Sequence, residues 1–306
     1  VPGLQTLSLF GVAGSDASAL ERLRDELRGP ALALGVDCAL TRGKMAERGP
    51  RLIVSDVDST FIRGEAIDML ADAAGSGPRV AAITEAAMNG ELDFAEALAE
   101  RVATLEGLSL DRVKSIADRI EPVPGAETLV TTAHARGCAV GLVSGGFIEV
   151  IGGLARRLGV DCVLANRLET SGGALTGRTE GEIVTRERKA EALLRWSEGG
   201  RLPGADMPRG AKFTEGSNSP EVSDSPLEAR AGDADFRSRE CSSPRERIDL
   251  SETVAAGDGA NDLSMMEIAG LSVAVCAKPA VLAAADAAVT RPRLDILAAI
   301  LGWDAV

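Results

Sequence analysis

Two aspartates one residue apart, Asp56 and Asp58, end a short apolar run in the stretch LIVSDVDST, Leu52 to Thr60. Such a run reads as a strand buried on both faces, and a buried strand does not tolerate carboxylates. The pair is therefore expected where the strand leaves its sheet, the edge at which parallel α/β sheets bind ligands. Side chains two apart point the same way, and two carboxylates in one space repel unless a cation or a shared proton separates them. A divalent metal ion meets that need. As a calcium loop counted from Asp56 the stretch fails, because the turn glycine would be Phe61 and the bidentate glutamate Ile67. A solvated turn stays open for the motif taken alone.

Three further groups fall at ends of predicted strands or starts of predicted helices. Ser144 with Gly145 and Gly146 at a helix start would form an anion cradle, since free N–H groups and the helix dipole face the ligand. Alone, S-G-G is more often a turn, and a lone lysine such as Lys189 is more often a solvated surface charge. In GDGAND, the apolar run VAA leads directly into Asp258, Asn261 and Asp262. It fails as a dinucleotide fingerprint because the third glycine position is Asp262. Acids, cradle, lysine and second acid cluster on successive sheet ends make four unrelated turns a poor explanation.

The elements that must position these groups alternate. Residues 4–12 read as a strand, Asp16–Arg28 as a helix and Val36–Leu40 as a strand, a βαβ fragment too small to hold a core alone. The chain begins at Val1 rather than Met, so its native start is expected upstream. From Glu65 to Ile120 the pattern is helical, with Val80, Ile83, Ala87 and Met88 on one face and Phe94, Leu98, Arg101, Val102 and Leu105 on another. Asp93 and Glu96 form a D-x-x-E helix start, and Pro122 and Pro124 close the segment. Alternation resumes with a helix at 125–136, a strand at Ala139–Val143 and a helix at Phe147–Leu158, expected to be weak or kinked at Gly152 and Gly153. A strand at Cys162–Ala165, a hairpin over Leu168–Ile183 and a helix at Glu187–Trp196 follow. The pattern then breaks down over 199–247, where 49 residues hold 18 Gly, Pro or Ser and 17 charged residues, and a disordered insertion is expected. It returns with strands at Thr253–Ala256, Ser272–Cys276 and Ala287–Thr290 and helices at Leu263–Ala269 and Leu294–Leu301.

Composition narrows the chemistry. The 306 residues, 45% hydrophobic, suffice for a real core, and a net charge of -13 argues against a nucleic-acid backbone or an anionic membrane as main partner. No stretch approaches the ~20 apolar residues of a membrane span, and Val1–Gly11 lacks the basic start of a signal peptide, so a cytoplasmic protein is expected. Cys38, Cys138, Cys162, Cys241 and Cys276 are scattered and indicate neither a disulfide framework nor a zinc site. His134 is the only histidine and falls in a predicted helix, which disfavours hydrolases that use histidine as base. Carboxylates are left to carry the protons.

In this order D-V-D-S-T, L-V-S-G-G-F, Lys189 and G-D-G-A-N-D resemble the haloacid dehalogenase superfamily. DSTFIRGEAIDMLA, EAAMNGELDFAEALAERVATLEGL and ANRLE resemble the branch of it that hydrolyses O-phospho-L-serine. The likeness covers about 50–198 and 248–301. It implies an α/β fold: a Rossmann-like core with a parallel sheet over 49–64 and 121–306, a helical cap over 65–120 and the insertion at 199–247 within the core. Residues 1–48 resemble half of a ligand-binding regulatory module. The resemblance implies Asp56 as nucleophile and Asp58 as general acid and base, with Mg2+ held by Asp56, the Asp58 backbone carbonyl and Asp258. Ser144, Gly145, Lys189 and Asn261 would hold the phosphoryl group, Asp262 would support the metal shell or Lys189, and Glu65, Arg101, Phe94 and Met88 would meet the amino acid. Without the resemblance, Phe94 and Met88 read as core and Arg101 as a surface ion-pair partner. A phosphatase or phosphotransferase for another small monoester, and a non-catalytic amino-acid binder, are the rival readings. A homodimer is the candidate assembly.

Overall fold

The computed structural model describes residues 5, 7, 17–200, 205–206 and 247–303. Strand β1 (Leu52–Asp56) is buried along its whole length, as its apolar sequence requires. The others are β2 (Ala139–Phe147), β3 (Cys162–Ser171), β4 (Ala174–Glu180), β5 (Ala205–Asp206), β6 (Thr253–Gly257), β7 (Leu271–Val275) and β8 (Ala287–Val289). The sheet runs β4-β3-β2-β1-β6-β7-β8, with β5 paired to β3. From β3 to β8 neighbours along this order are parallel, whereas β4 and β5 pair antiparallel to β3. β2 lies on one side of β1 and β6 on the other, so β1 ends at the switch point where α/β sheets open a crevice.

Period-two alternation sends successive side chains of each strand into two separate cores. Ile53, Val140, Val254 and Val273 belong to one, together with helices α7 (Ala126–Ala135), α8 (Ile148–Leu158) and α12 (Asp295–Ile300). Leu52, Val54, Val143 and Ala255 belong to the other, with α9 (Arg186–Ser197), α10 (Leu263–Ile268) and α11 (Pro279–Ala284). Burying a Leu, Ile or Val fully contributes about 1.5–3 kcal/mol, so three such residues on β1 anchor the strand that carries Asp56. Gly141 on β2 admits Trp196 of α9, because a Cβ there would lie 2.5 Å from the indole ring.

The cap inserted between β1 and α7 comprises α3 (Ala66–Ala74), α4 (Gly77–Met88), α5 (Phe94–Ala103) and α6 (Leu110–Ala117). The D-x-x-E start of α5 is a reciprocal capping box: the Asp93 carboxylate accepts from Glu96 N at 2.8 Å and the Glu96 carboxylate from Asp93 N at 3.0 Å. Two seams tie the cap to the core. At its base Arg63 N donates to Glu121 O at 3.1 Å and Val123 N to Phe61 O at 2.9 Å. On its flank the β3–β4 hairpin reaches up to it: Gly107 N donates to Leu175 O and Leu110 N to Gly173 O, each at 2.9 Å.

Several expectations change. Residues 36–42 form no strand; Asp37 Oδ1 instead accepts from Thr290 N at 3.0 Å and Thr290 Oγ1 at 2.8 Å, tying this segment to the end of β8. The helix before it, α1 (Ala17–Leu34), runs beyond Arg28 and through Pro30. α8 is unbroken despite its glycines, because burial of Val150, Ile151, Leu154 and Ala155 in the core outweighs propensity. The short helix α2 (Gly43–Arg48) and α11 are additions. The strand expected over 4–12, Cys241 and most of 199–247 lie outside the described residues. Within that insertion Ala205 and Asp206 pair with Leu164 and Val163 of β3. At its two ends Ile248 N donates to Ser197 O at 2.7 Å, so the chain leaves and re-enters the fold at one place.

Candidate active site

Because β1, β2 and β6 are parallel, their carboxyl ends meet, and with them the three motif loops. Lys189 projects into the same place from α9, which starts at the Thr185 cap, where the hydroxyl accepts from Arg188 N at 3.3 Å. The lysine is only 1% exposed, so the surface-charge reading is corrected. Its Nζ donates to Asp56 Oδ1 at 2.5 Å and to Asp262 Oδ1 at 2.7 Å. Burial works against the ammonium, but those two carboxylates outweigh it and hold Lys189 above the usual lysine range. The other oxygen of Asp262 accepts from the N–H groups of Asp258 and Gly259 at 3.2 and 3.1 Å, which shapes the GDGAND turn. Gly257 is needed there: a Cβ would fall 2.3 Å from Asp262 Oδ2.

The carboxylates of Asp56, Asp258 and Asp262 offer oxygens within 4.8 Å of one another, an arrangement that could hold a metal ion. Burial pushes Asp56 well above the usual carboxyl range, Lys189 opposes that, and Asp262 and Asp58 add to it. Asp258 is likewise raised, by burial and then by Asp262. Three carboxylates facing one ammonium fit a bound cation, which would relieve this repulsion.

Asp58 has a different environment from Asp56. Its Oδ1 accepts from Ala66 N, the first amide of α3, at 2.7 Å, and its Oδ2 accepts from Ser144 Oγ at 2.8 Å. Ser144 Oγ in turn accepts from Gly146 N at 2.7 Å. A Cβ on Gly146 would lie 2.7 Å from Asp58 Oδ2, so only glycine fits. Ser59, with φ of 59°, donates its hydroxyl to Glu65 Oε1 at 2.8 Å. Glu65 is raised by burial and then by Asp58, with the Ser59 bond pulling it back. Arg101 is lowered by burial, against the charges of Glu65, Asp68 and Asp58. The Phe94 ring reaches the cradle, since a Cβ on Gly145 would lie 3.6 Å from its Cζ.

Asp56, Asp58, Ser144, Gly145, Lys189, Asp258 and Asp262 therefore come together, with Phe94, Glu65 and Arg101 above them. Met88 does not: it ends α4 and is 77% exposed. Asn261 is exposed and folds over its own turn, a Cβ on Gly259 falling 2.2 Å from its Oδ1. Sequence reasoning missed Thr60, whose hydroxyl donates to Asp258 Oδ1 at 3.4 Å, although it closes the D-x-D-S-T motif. It also gave no role to Asn166, a buried polar residue just past the strand read over Cys162–Ala165, although it stands in the stretch ANRLE.

Two family models, both described as haloacid dehalogenase-like hydrolase, match residues 53–206 and 243–295. A phosphoserine phosphatase of Mycobacterium tuberculosis is 42% identical over 87% of this chain and 54% of its own length. The chain thus spans about half of that relative. A phosphoserine phosphatase of Streptococcus thermophilus is 42% identical over 79% of this chain and 92% of its own. A solved structure titled as the phospho-aspartyl intermediate analogue of phosphoserine phosphatase superposes with a TM-score of 0.61 at 33% identity, covering 81% of this chain and 97% of its own. Among the described residues no helix is long and apolar enough to cross a membrane.

Proposed function

The chain belongs to the haloacid dehalogenase-like hydrolases and, within them, to the phosphoserine phosphatase family, and from that membership we propose that it hydrolyses O-phospho-L-serine to L-serine and phosphate. The observation that carries the proposal is the separation of two aspartates one residue apart: Asp56 faces Lys189 while Asp58 is turned toward Ser144 and the Ala66 amide. Two carboxylates in distinct environments suit two roles.

Asp56 attacks phosphorus as the bond to the serine oxygen breaks, giving an aspartyl phosphate. The Asp58 carboxyl hands its proton to the departing alkoxide, then takes one from the water that attacks the same phosphorus, releasing phosphate and restoring Asp56. Ser144, the Gly145 N–H, Lys189 and Asn261 receive the phosphoryl oxygens, where charge is greatest. Asp56, Asp258 and the Asp58 backbone carbonyl would hold magnesium, which would neutralise the acids and the phosphoryl group. In the cap, Glu65 suits the substrate ammonium and Arg101 its carboxylate, with Phe94 excluding water. Met88 is the weakest member of this set, given its exposure. A cytoplasmic setting and a homodimer complete the proposal.

Phosphate release from phosphoserine, phosphothreonine and glycerol phosphate, with and without magnesium, tests it. Magnesium-dependent turnover fastest with phosphoserine is expected. Preference for another monoester, or binding of serine without phosphate release, would replace it with one of the rival readings.

A further inference from the structure

We propose that Asn166 is a positioning residue that locks the phosphate cradle to the helix carrying Lys189; this rests on the phosphatase reading above. Parallel pairing of β2 with β3 is regular through Ser144 opposite Ala165, then resumes with Phe147 opposite Asn166. Gly145 and Gly146 are looped out between these pairs, a bulge of the kind that re-aims groups beside active sites. The bulge takes both glycines out of the ladder: the Gly146 N–H turns to Ser144 Oγ at 2.7 Å, and the Gly145 carbonyl is left without a ladder partner.

The Asn166 side chain supplies that partner and does more. It is 2% exposed, and its Nδ2 donates to Gly145 O at 2.7 Å while its Oδ1 accepts from Val184 N at 2.8 Å. Val184 immediately precedes Thr185, the cap of α9, whose carbonyl accepts from Lys189 N at 3.0 Å. One carboxamide therefore joins the two elements that bring Gly145 and Lys189 to the same phosphoryl group. A neutral amide is required by the pattern of partners, since Gly145 offers an acceptor and Val184 a donor. Aspartate would still serve Val184 but would set a negative oxygen against the Gly145 carbonyl, close to where the anion sits. Alanine would leave the buried Val184 N–H and the half-buried Gly145 carbonyl unpaired.

The test uses the whole chain with Asn166→Asp and Asn166→Ala. Inhibition by inorganic phosphate and by L-serine is measured separately, beside kcat, KM and the melting temperature, and phosphate binding is followed directly by calorimetry. Losing a buried hydrogen bond in the cradle should weaken phosphate and lower kcat by about ten- to a hundredfold. Inhibition by serine, gripped by the cap, should stay within about twofold. A purely structural role would lower the melting temperature and weaken both ligands alike. The proposal is overturned by unchanged phosphate affinity in a folded variant, by equal weakening of phosphate and serine, or by loss of folded protein in both variants. Should the wild type hydrolyse no phosphoserine, the functional reading falls, while calorimetric phosphate binding still decides the role of Asn166.

Discussion

Lys189 Nζ lies 2.5 Å from Asp56 Oδ1, an ion pair sealed from water beneath the sheet's carboxyl edge. Asp262 holds the same ammonium at 2.7 Å, so the lysine is the one cation among the described residues shown bridging these two acids. Removing one member of a buried pair leaves uncompensated charge, which costs about 3–5 kcal/mol. Lys189→Met should accordingly lose stability of that order in urea unfolding without magnesium, and regain part of it when magnesium is added. Unchanged stability would mean that the two acids are not held by this lysine.

Asp58 is positioned by an amide and a hydroxyl that an asparagine could still satisfy. Asp58→Asn should therefore melt within a few degrees of the wild type yet lose the proton carrier, lowering kcat about 10²- to 10⁴-fold. Steady-state kinetics beside thermal melts separate the two effects.

Gly146 has no room for a methyl group, since a Cβ would press on Asp58 Oδ2 at 2.7 Å and on Ser144 Oγ at 3.0 Å. Displacing a reacting group by about 1 Å can cost about 10²-fold in rate. Gly146→Ala should show a loss of that order in kcat, and near-normal turnover would contradict the tight packing around Asp58.

The pH dependence of substrate binding follows from Glu65. Burial and then the Asp58 charge raise its pKa, and only the ionised form attracts the substrate ammonium. As pH falls through that raised value the attraction is lost, so KM for phosphoserine should begin to rise at a higher pH than an ordinary glutamate would give. The Ser59 hydroxyl opposes the shift, so Ser59→Ala should move the rise to higher pH still. KM measured against pH for both proteins checks the sign.

Much of this was legible in residue order because parallel strands force it. Apolar runs ending in acids place Asp56 and Asp258 at one edge, and the 93–96 pair marked a helix start that formed as read. What was not legible depends on tertiary partners. Gly152 looked like a helix breaker, but burial of α8 through Val150, Ile151, Leu154 and Ala155 holds the helix in one piece. Val36–Leu40 has a strand's apolar content, yet its ordering comes from Asp37 binding Thr290, 253 residues away. Met88 shares a helical stripe with Val80 and Ile83, but α4 ends there and the side chain reaches solvent. Asn166 gave no periodic signal, since its importance lies in a bulge on the neighbouring strand.

The most direct measurement is identification of the residue that carries phosphate during turnover. Enzyme with phosphoserine and magnesium is quenched in acid, the acyl phosphate is reduced with borohydride, and peptides are sequenced by mass spectrometry. Reduction should convert Asp56 alone to homoserine, with no such product in Asp56→Asn, which should also be inactive. Normal phosphate release with Asp56 unmodified, or turnover by Asp56→Asn at the wild-type rate, would contradict a covalent role for this carboxylate.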